Sequence, residues 1–323
     1  LGGAMRDHIM PYASLQPEGN SVEQYGDSLV SWAKRAREYG FKAAKMECTL
    51  AGPYNHSGLQ GSDEQMTEIV RACRETVGPD FAMMVDVQYR WSDVHSCLRT
   101  VSRWDDLDLF FLETPLQIDD LDGYATLSRE APMRIAAGEW QNTRFEFLEL
   151  LDRGQVQVAQ PDVGRVGGLT EAMRVCHMAQ DRGRLIVPHC WKTGIGIAAS
   201  AHMAAAIPNC PYIEYLPSEL CDSALRRDLV SEPLEMKDGI VKLPEKPGLG
   251  VELNIDALKT YDLSKALYLF LNSPVLTLST LPLISFVGLT DLISGETFLL
   301  LGNDFTPLSI RYPKNLFIFF LRF

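Results

Sequence analysis

Three acidic residues, Asp86, Glu113 and Glu139, each stand where a short apolar run stops, in "FAMMVDV", "LFFLE" and "RIAAGE". Asp162 ends "VQVAQPD", His189 ends "RLIVPH", and Glu214 lies in "YIEYL". From Asp86 onward these six recur every 23 to 27 residues. Upstream, "FKAAKMECT" carries Lys45 and Glu47. Carboxylates at the ends of neighbouring strands, ~4.8 Å apart, repel each other, and one keeps its proton unless a cation is present. One such acid alone reads as a helix cap or an ion-pair partner. Three in a row at matched positions read as a site for a hard divalent cation, and three oxygen ligands with open positions suit Mg²⁺. Asp162 and His189 stand one repeat apart, so adjacent strands bring them within reach. A carboxylate on one imidazole nitrogen fixes the tautomer and raises the basicity of the other. The chemistry indicated is proton abstraction by His189 beside a bound cation. The other histidines, at 8, 56, 95, 177 and 202, form no cluster.

These groups need a scaffold that repeats. Over residues 1–262 short apolar runs alternate with longer amphipathic ones, such as "SVEQYGDSLVSWAKRAREYG" and "SDEQMTEIVRACRETVG". Ile69, Val70 and Cys73 recur at helical spacing, as do Leu98 and Val101. Gly40 and Gly78 stand where helix C-termini are expected. Eight strands alternating with helices predict parallel β/α units closing into a barrel, a fold of ~250 residues whose chemistry sits at the C-terminal ends of its strands. An open doubly wound sheet would carry a Gly-rich turn after its first strand. None is present there, and "GRVGG" at 164–168 follows a late strand.

The chain has 323 residues, of which 46% are hydrophobic, so a large core is available. Its net charge of -12 argues against a nucleic-acid partner, which calls for a basic face. A bound divalent cation still leaves anionic substrates open. Seven cysteines without a CxxC pair argue against a disulfide framework or a zinc ribbon and suit the cytoplasm. "LGGAMRDHIM" does not read as a signal peptide. Residues 263–323 differ in character: from Ala266 to Thr290 none is charged, a run long enough to span a bilayer at ~20 residues, yet Pro274 and Pro282 interrupt it. Neither helical nor strand periodicity is visible that would dock this tail. Three readings stand for it: an aberrant terminus, a membrane or lipid-surface segment, or a packed extension. No membrane role is expected outside it.

The segments "GFKAAKMECT", "MMVDVQYRW", "LFFLETPLQIDD", "RIAAGEW", "QPDVGRVGGLTEA", "VPHCWKTGIG" and "YIEYLPSE", in this order, resemble the enolase superfamily in its mandelate racemase-like branch. The resemblance runs from about residue 5 to 262 and implies a modified (β/α)7β TIM barrel. It implies that Asp86, Glu113 and Glu139 bind Mg²⁺, that Asp162 and His189 form an acid/base dyad, and that Glu214 hydrogen-bonds a substrate carboxylate oxygen. The shared chemistry is removal of the proton next to a carboxylate through an enediolate.

Two departures bear on the outcome. Members with a second base often carry Lys-x-Lys on strand two, whereas this chain has Lys45-Met46-Glu47. Lys45 matches the lysine that binds the substrate carboxylate, and Glu47 replaces the opposite-face base. A one-base elimination is therefore expected, dehydrating a sugar acid to its 2-keto-3-deoxy product, with Glu47 an acid, a contact to a substrate hydroxyl or a partner of Lys45. Racemisation or epimerisation of a 2-hydroxy acid is the alternative, and a truncated, inactive barrel another. A Schiff-base aldolase would want a lysine in "VQVAQPD". The family's N-terminal cap, which covers the barrel mouth, is expected to be missing, since the chain starts at the linker into the first barrel strand. Tyr54, Asn55, His56 and Trp191 are the expected substrate contacts. The family is often oligomeric, which makes a homo-oligomer the assembly to look for, although no interface signal is visible.

Overall fold

The computed structural model describes residues 1–55, 57–191, 193–216 and 224–262, together with the backbone of three short strands beyond them. The chain divides into two compact units, Leu1–Asn254 and Ile255–Phe323.

In the first unit a short strand, β1 (His8–Ile9), precedes eight parallel strands: β2 (Pro11–Leu15), β3 (Ala43–Glu47), β4 (Ala82–Asp86), β5 (Leu109–Glu113), β6 (Arg134–Ala137), β7 (Val158–Ala159), β8 (Leu185–Ile186) and β9 (Ile213–Tyr215). Seven helices connect them: α1 (Val22–Glu38), α2 (Asp63–Val77), α3 (Val94–Val101), α4 (Leu121–Glu130), α5 (Thr143–Asp152), α6 (Leu169–Asp181) and α7 (Gly194–Ala205). The eight strands expected from the sequence are all present, in a (β/α)7β arrangement. Helix starts follow local chemistry: the Ser21 side chain caps α1, and Ser62 with Gln65 forms a capping box on α2.

The sheet order is β8-β7-β6-β5-β4-β3-β2-β9, so the last strand lies beside the first and the sheet curls into a TIM-barrel-like wall. Between β8 and β9 the approach is made by Ile186 N–H donating to Asn209 O at 2.9 Å and by Cys190 N–H donating to the Glu214 carboxylate at 2.5 Å.

Strand alternation sorts the side chains. Ala13, Leu15, Ala44, Met46, Val85, Leu112, Ile135 and Ala159 pack outward in the main core with the helices. Tyr12, Ala43, Met84, Phe111, Ala136, Val158 and Val187 form a separate apolar cluster, one residue from each of seven strands or their ends, which fills the barrel interior. Two residues further along the same segments stand Ser14, Lys45, Asp86, Glu113, Gly138, Gln160 and His189. The polar site is thus the next layer above an apolar plug.

At the other end β1 pairs with a hairpin of β10 (Met236–Lys237) and β11 (Ile240–Lys242), turned by Asp238 and Gly239 at φ 53° and 80°. A short helix, α8 (Ala224–Asp228), lies in the same unit. The second unit contains α9 (Ile255–Thr260) and an antiparallel sheet of β12 (Gly288–Thr290), β13 (Thr297–Leu300) and β14 (Pro307–Ile310). Each of these strands is only three or four residues long. Most of the uncharged run 266–290 lies outside the described residues. Among the described residues no helix is long and apolar enough to cross a membrane.

Candidate active site

The barrel register sets the acids side by side. Glu47 pairs with Asp86 across β3 and β4, and Asp86 pairs with Glu113 across β4 and β5. In-register residues of parallel strands share a face, so these three form a row along the wall. Glu139 lies three residues beyond Ala136, the register partner of Glu113. Six carboxyl groups (Glu47, Asp86, Glu113, Glu139, Asp162 and Glu214) are buried here with Lys45 and His189. So much acid away from water is costly without positive charge.

Lys45 holds one group of them. Its Nζ lies 2.6 Å from Glu113 Oε1, 3.1 Å from Glu214 Oε1 and 3.5 Å from Asp86 Oδ2. Burial pulls the Lys45 ammonium down, but Glu113, Glu214 and Asp86 outweigh it and hold the proton on. Burial likewise raises Glu214, yet Lys45, His189, the Cys190 N–H and the Ser14 hydroxyl bring it down to about 2. Glu113 goes the other way: burial first, then Asp86, Glu214 and Glu139, push it well above the usual carboxylate range against the pull of Lys45. One lysine does not neutralise this cluster, and Glu113 is where the deficit falls.

His189 holds the other group. Nδ1 lies 2.7 Å from Asp162 Oδ2, and Nε2 is 3.2 Å from Glu139 Oε2 and 4.0 Å from Glu214 Oε2. Asp162 is fixed in turn, its Oδ1 accepting from Gly164 N–H at 2.7 Å. With the Nδ1 proton donated to Asp162, Nε2 is the basic nitrogen, and it faces the carboxylates.

Several residues that hold this arrangement were not singled out from the sequence. Tyr89 donates to Glu139 Oε1 at 3.0 Å, Gln160 Nε2 to Glu113 Oε2 at 2.6 Å, and Ser14 to Glu214 Oε1 at 2.8 Å. Asp86 Oδ1 accepts from Gln88 N–H and the Thr114 hydroxyl, both at 3.0 Å. Arg165 donates to Glu139 O at 3.1 Å, lies 3.9 Å from Asp162 Oδ2 and stacks 4.1 Å from the Trp140 ring centre. Gln88 and Tyr89, two and three residues after Asp86, and Thr114, next to Glu113, have left-handed φ of 47°, 58° and 45°. Such backbone needs support from its surroundings, and here Gln88 N–H and the Thr114 hydroxyl are tied to Asp86 and Tyr89 N–H to Thr114 O. The visible signal for Gln160 was its two-residue phase with Asp162; for Tyr89 there was none.

Of the expected substrate contacts, Tyr54 is 51% exposed and packs its ring edge-on against Tyr89 with centres 5.2 Å apart. Asn55 is engaged within its own loop, donating to Leu59 O and accepting from Ser57 N–H. Trp191 is half-buried under Arg226, 5.1 Å from its ring centre. His56 lies outside the described residues. The loop carrying Tyr54 is tied down by Arg90, which donates to Asp63 Oδ1 at 2.9 and 2.7 Å and to Gly61 O at 2.9 Å. Gly52, at φ 99°, lets that loop press on Arg90: a Cβ there would meet Arg90 Cα at 2.8 Å.

The donor chemistry fits a hard cation: buried carboxylates from consecutive strands, with Glu113 short of compensating charge. As placed, their oxygens face Lys45, Tyr89 and His189, and among the described residues no three acidic, histidine or cysteine side chains are already arranged to grip an ion. Lys45 stands as the counter-ion of Glu113 and Asp86, and this is the position the sequence reading reserved for a substrate contact.

A curled parallel barrel with charged strand ends defines a class of enzyme scaffold, and the comparisons place the chain within it. Residues 28–257 match the family described as enolase C-terminal domain-like, and the chain belongs to that family. It is 34% identical over 263 residues to an arabinonate dehydratase of Saccharolobus solfataricus, covering 81% of this chain and 65% of the relative. It is 30% identical over 269 residues to a D-galactarolactone cycloisomerase of Agrobacterium fabrum, covering 81% and 67%. A crystal structure of a racemase from Streptomyces coelicolor with bound magnesium superposes with a TM-score of 0.66 at 28% identity, covering 80% of this chain and 64% of that one. The chain therefore spans about two thirds of the length of the proteins it matches.

Proposed function

We propose that this chain carries the catalytic barrel of a Mg²⁺-dependent sugar-acid dehydratase. The observation that carries the reading is the Asp162–His189 pair at 2.7 Å, with Nε2 facing the cluster of acids. Asp162 holds the tautomer, and His189 Nε2 takes the proton from the carbon next to the substrate carboxylate. The imidazolium so formed is stabilised by Asp162 and Glu139 and returns its proton to the β-hydroxyl as the C–O bond breaks. Water leaves, and the enol left behind becomes the 2-keto-3-deoxy acid. Asp86, Glu113 and Glu139 would hold Mg²⁺, which when bound supplies positive charge opposite the carboxylate oxygens as they gain electron density. With Glu113 and Asp86 engaged by the cation, Lys45 would be the residue left to bind the substrate carboxylate. Glu214 anchors Lys45 and borders that carboxylate. Glu47, in register with Asp86 on the Lys45 face of β3, is assigned to a substrate hydroxyl.

The alternative outcome, racemisation or epimerisation, requires a second base on the Lys45 side. That base would be Lys45 or Glu47. In the metal-free site Lys45 is held protonated by Glu113, Glu214 and Asp86, and with the cation bound it would keep Glu214 beside it, which disfavours it as a base. Glu47 is assigned to a substrate hydroxyl. The test is incubation of the chain in D₂O with Mg²⁺ and a panel of five- and six-carbon sugar acids, arabinonate included. Formation of a 2-keto-3-deoxy acid that His189→Asn abolishes is expected. Deuterium incorporation without dehydration would replace this reading by racemisation, and no reaction at all by a folded chain would sink both.

A further inference from the structure

Glu113 Oε1 faces Lys45, while Oε2 accepts from Gln160 Nε2 at 2.6 Å. Gln160 is fully buried, and its backbone N–H is fixed to Ala137 O at 3.0 Å. It follows β7, two strands from Glu113 in β5. In the polar layer the intervening strand contributes Gly138, so no side chain of that layer stands between glutamine and glutamate. Gly138 has a φ of 131°, and a Cβ there would meet Phe147 at 2.7 Å and Gln160 N at 3.0 Å. The position therefore resists any larger residue. Gln160 Oε1 is buried and has no hydrogen-bond partner among the described residues. A buried amide acceptor left unmatched is costly, and this one belongs to an amide whose other end grips a carboxylate of the candidate cation site.

We propose that Gln160 is a positioning residue that orients Glu113 for the cation, its Oε1 remaining to accept a hydrogen bond from whatever completes the site. The inference rests on the reading that Glu113 holds Mg²⁺. Lys45 cannot do this job, because its ammonium must leave Glu113 when a second cation arrives. Gln160 is neutral and donates to the other oxygen, so it keeps its grip through that exchange.

The test is Mg²⁺ affinity of the full chain by titration calorimetry, for the unaltered protein, Gln160→Leu, Gln160→Met and Glu113→Gln, with melting temperatures recorded without metal. Losing a partner that orients a metal ligand lowers affinity by about 10–100-fold, and that loss is expected in both Gln160 variants. A purely structural role would lower the metal-free melting temperature and leave the affinity of the folded variants unchanged, which overturns the proposal. Failure of both variants to fold assigns Gln160 to the core and overturns it as well. Glu113→Gln binding Mg²⁺ as tightly as the unaltered chain refutes the underlying reading instead, in a variant that leaves Gln160 intact.

Discussion

Lys45 Nζ lies 2.6 Å from Glu113 Oε1, and both side chains are buried. This contact makes the lysine the resident counter-ion of the acids that Mg²⁺ would also need. Removing one partner of a buried ion pair costs about 3–5 kcal/mol, so Lys45→Met should melt at clearly lower temperature without metal. Mg²⁺ should bind Lys45→Met more tightly than the unaltered chain, because no ammonium has to be displaced. Calorimetry and melting with and without Mg²⁺ check both halves, and weaker Mg²⁺ binding by the variant contradicts the exchange.

His189 and Asp162 should act on rate and not on the cation. His189→Asn is expected to lower the α-proton exchange rate by about 10²–10⁴-fold, the range for a general base, with Mg²⁺ affinity close to that of the unaltered chain. Asp162→Asn should fall in the same direction, since the tautomer and the imidazolium both lose their support. Proton exchange followed by NMR in D₂O measures this, and a fully active His189→Asn removes His189 from the mechanism.

Glu214 makes stability depend on acid. Its carboxyl is held at about 2, below the ordinary 4.5, so the folded state binds fewer protons than the unfolded state between those values. Its contribution is fully present above about 4.5 and is lost as pH falls toward about 2. Metal-free denaturation from pH 6 to about 2 should therefore show a steeper loss for the unaltered chain than for Glu214→Gln. Parallel curves would show that Glu214 is not the ionised partner of Lys45.

Tyr54 should affect substrate preference without affecting stability. It is 51% exposed and touches Tyr89, which in turn holds Glu139. Tyr54→Ala is expected to stay within about 0.5 kcal/mol of the unaltered stability, as exposed substitutions do, while KM for sugar acids rises and kcat changes less. An unchanged KM across the panel would take Tyr54 out of the substrate site.

Much of the barrel was legible because its signals are local. A strand writes itself as a run with a two-residue alternation, a helix as apolar positions three and four apart, and one β/α unit as a spacing of about 25 residues. Asp86, Glu113, Asp162 and His189 stand at strand ends for that reason. Tyr89, Ser14 and Thr114 were not legible, since a single polar residue in a loop or strand has no pattern of its own. Asn55 shows the converse: its amide is engaged in its own loop by Ser57 and Leu59, a local turn that composition alone does not separate from a ligand contact.

By itself the sequence determined which chemical groups end the strands and in what order around the barrel, because alternation and repeat spacing are properties of neighbouring residues. Only the tertiary structure decided how those groups pair: Lys45 with Glu113, Asp86 and Glu214, His189 with Asp162 and Glu139, and Gln160 across β6 to Glu113. These contacts join residues 27 to 169 positions apart in the chain. They follow from strand register, from the curling that lays β9 against β2, and from which carboxylate each buried cation neutralises, all of which come into being only when the sheet folds.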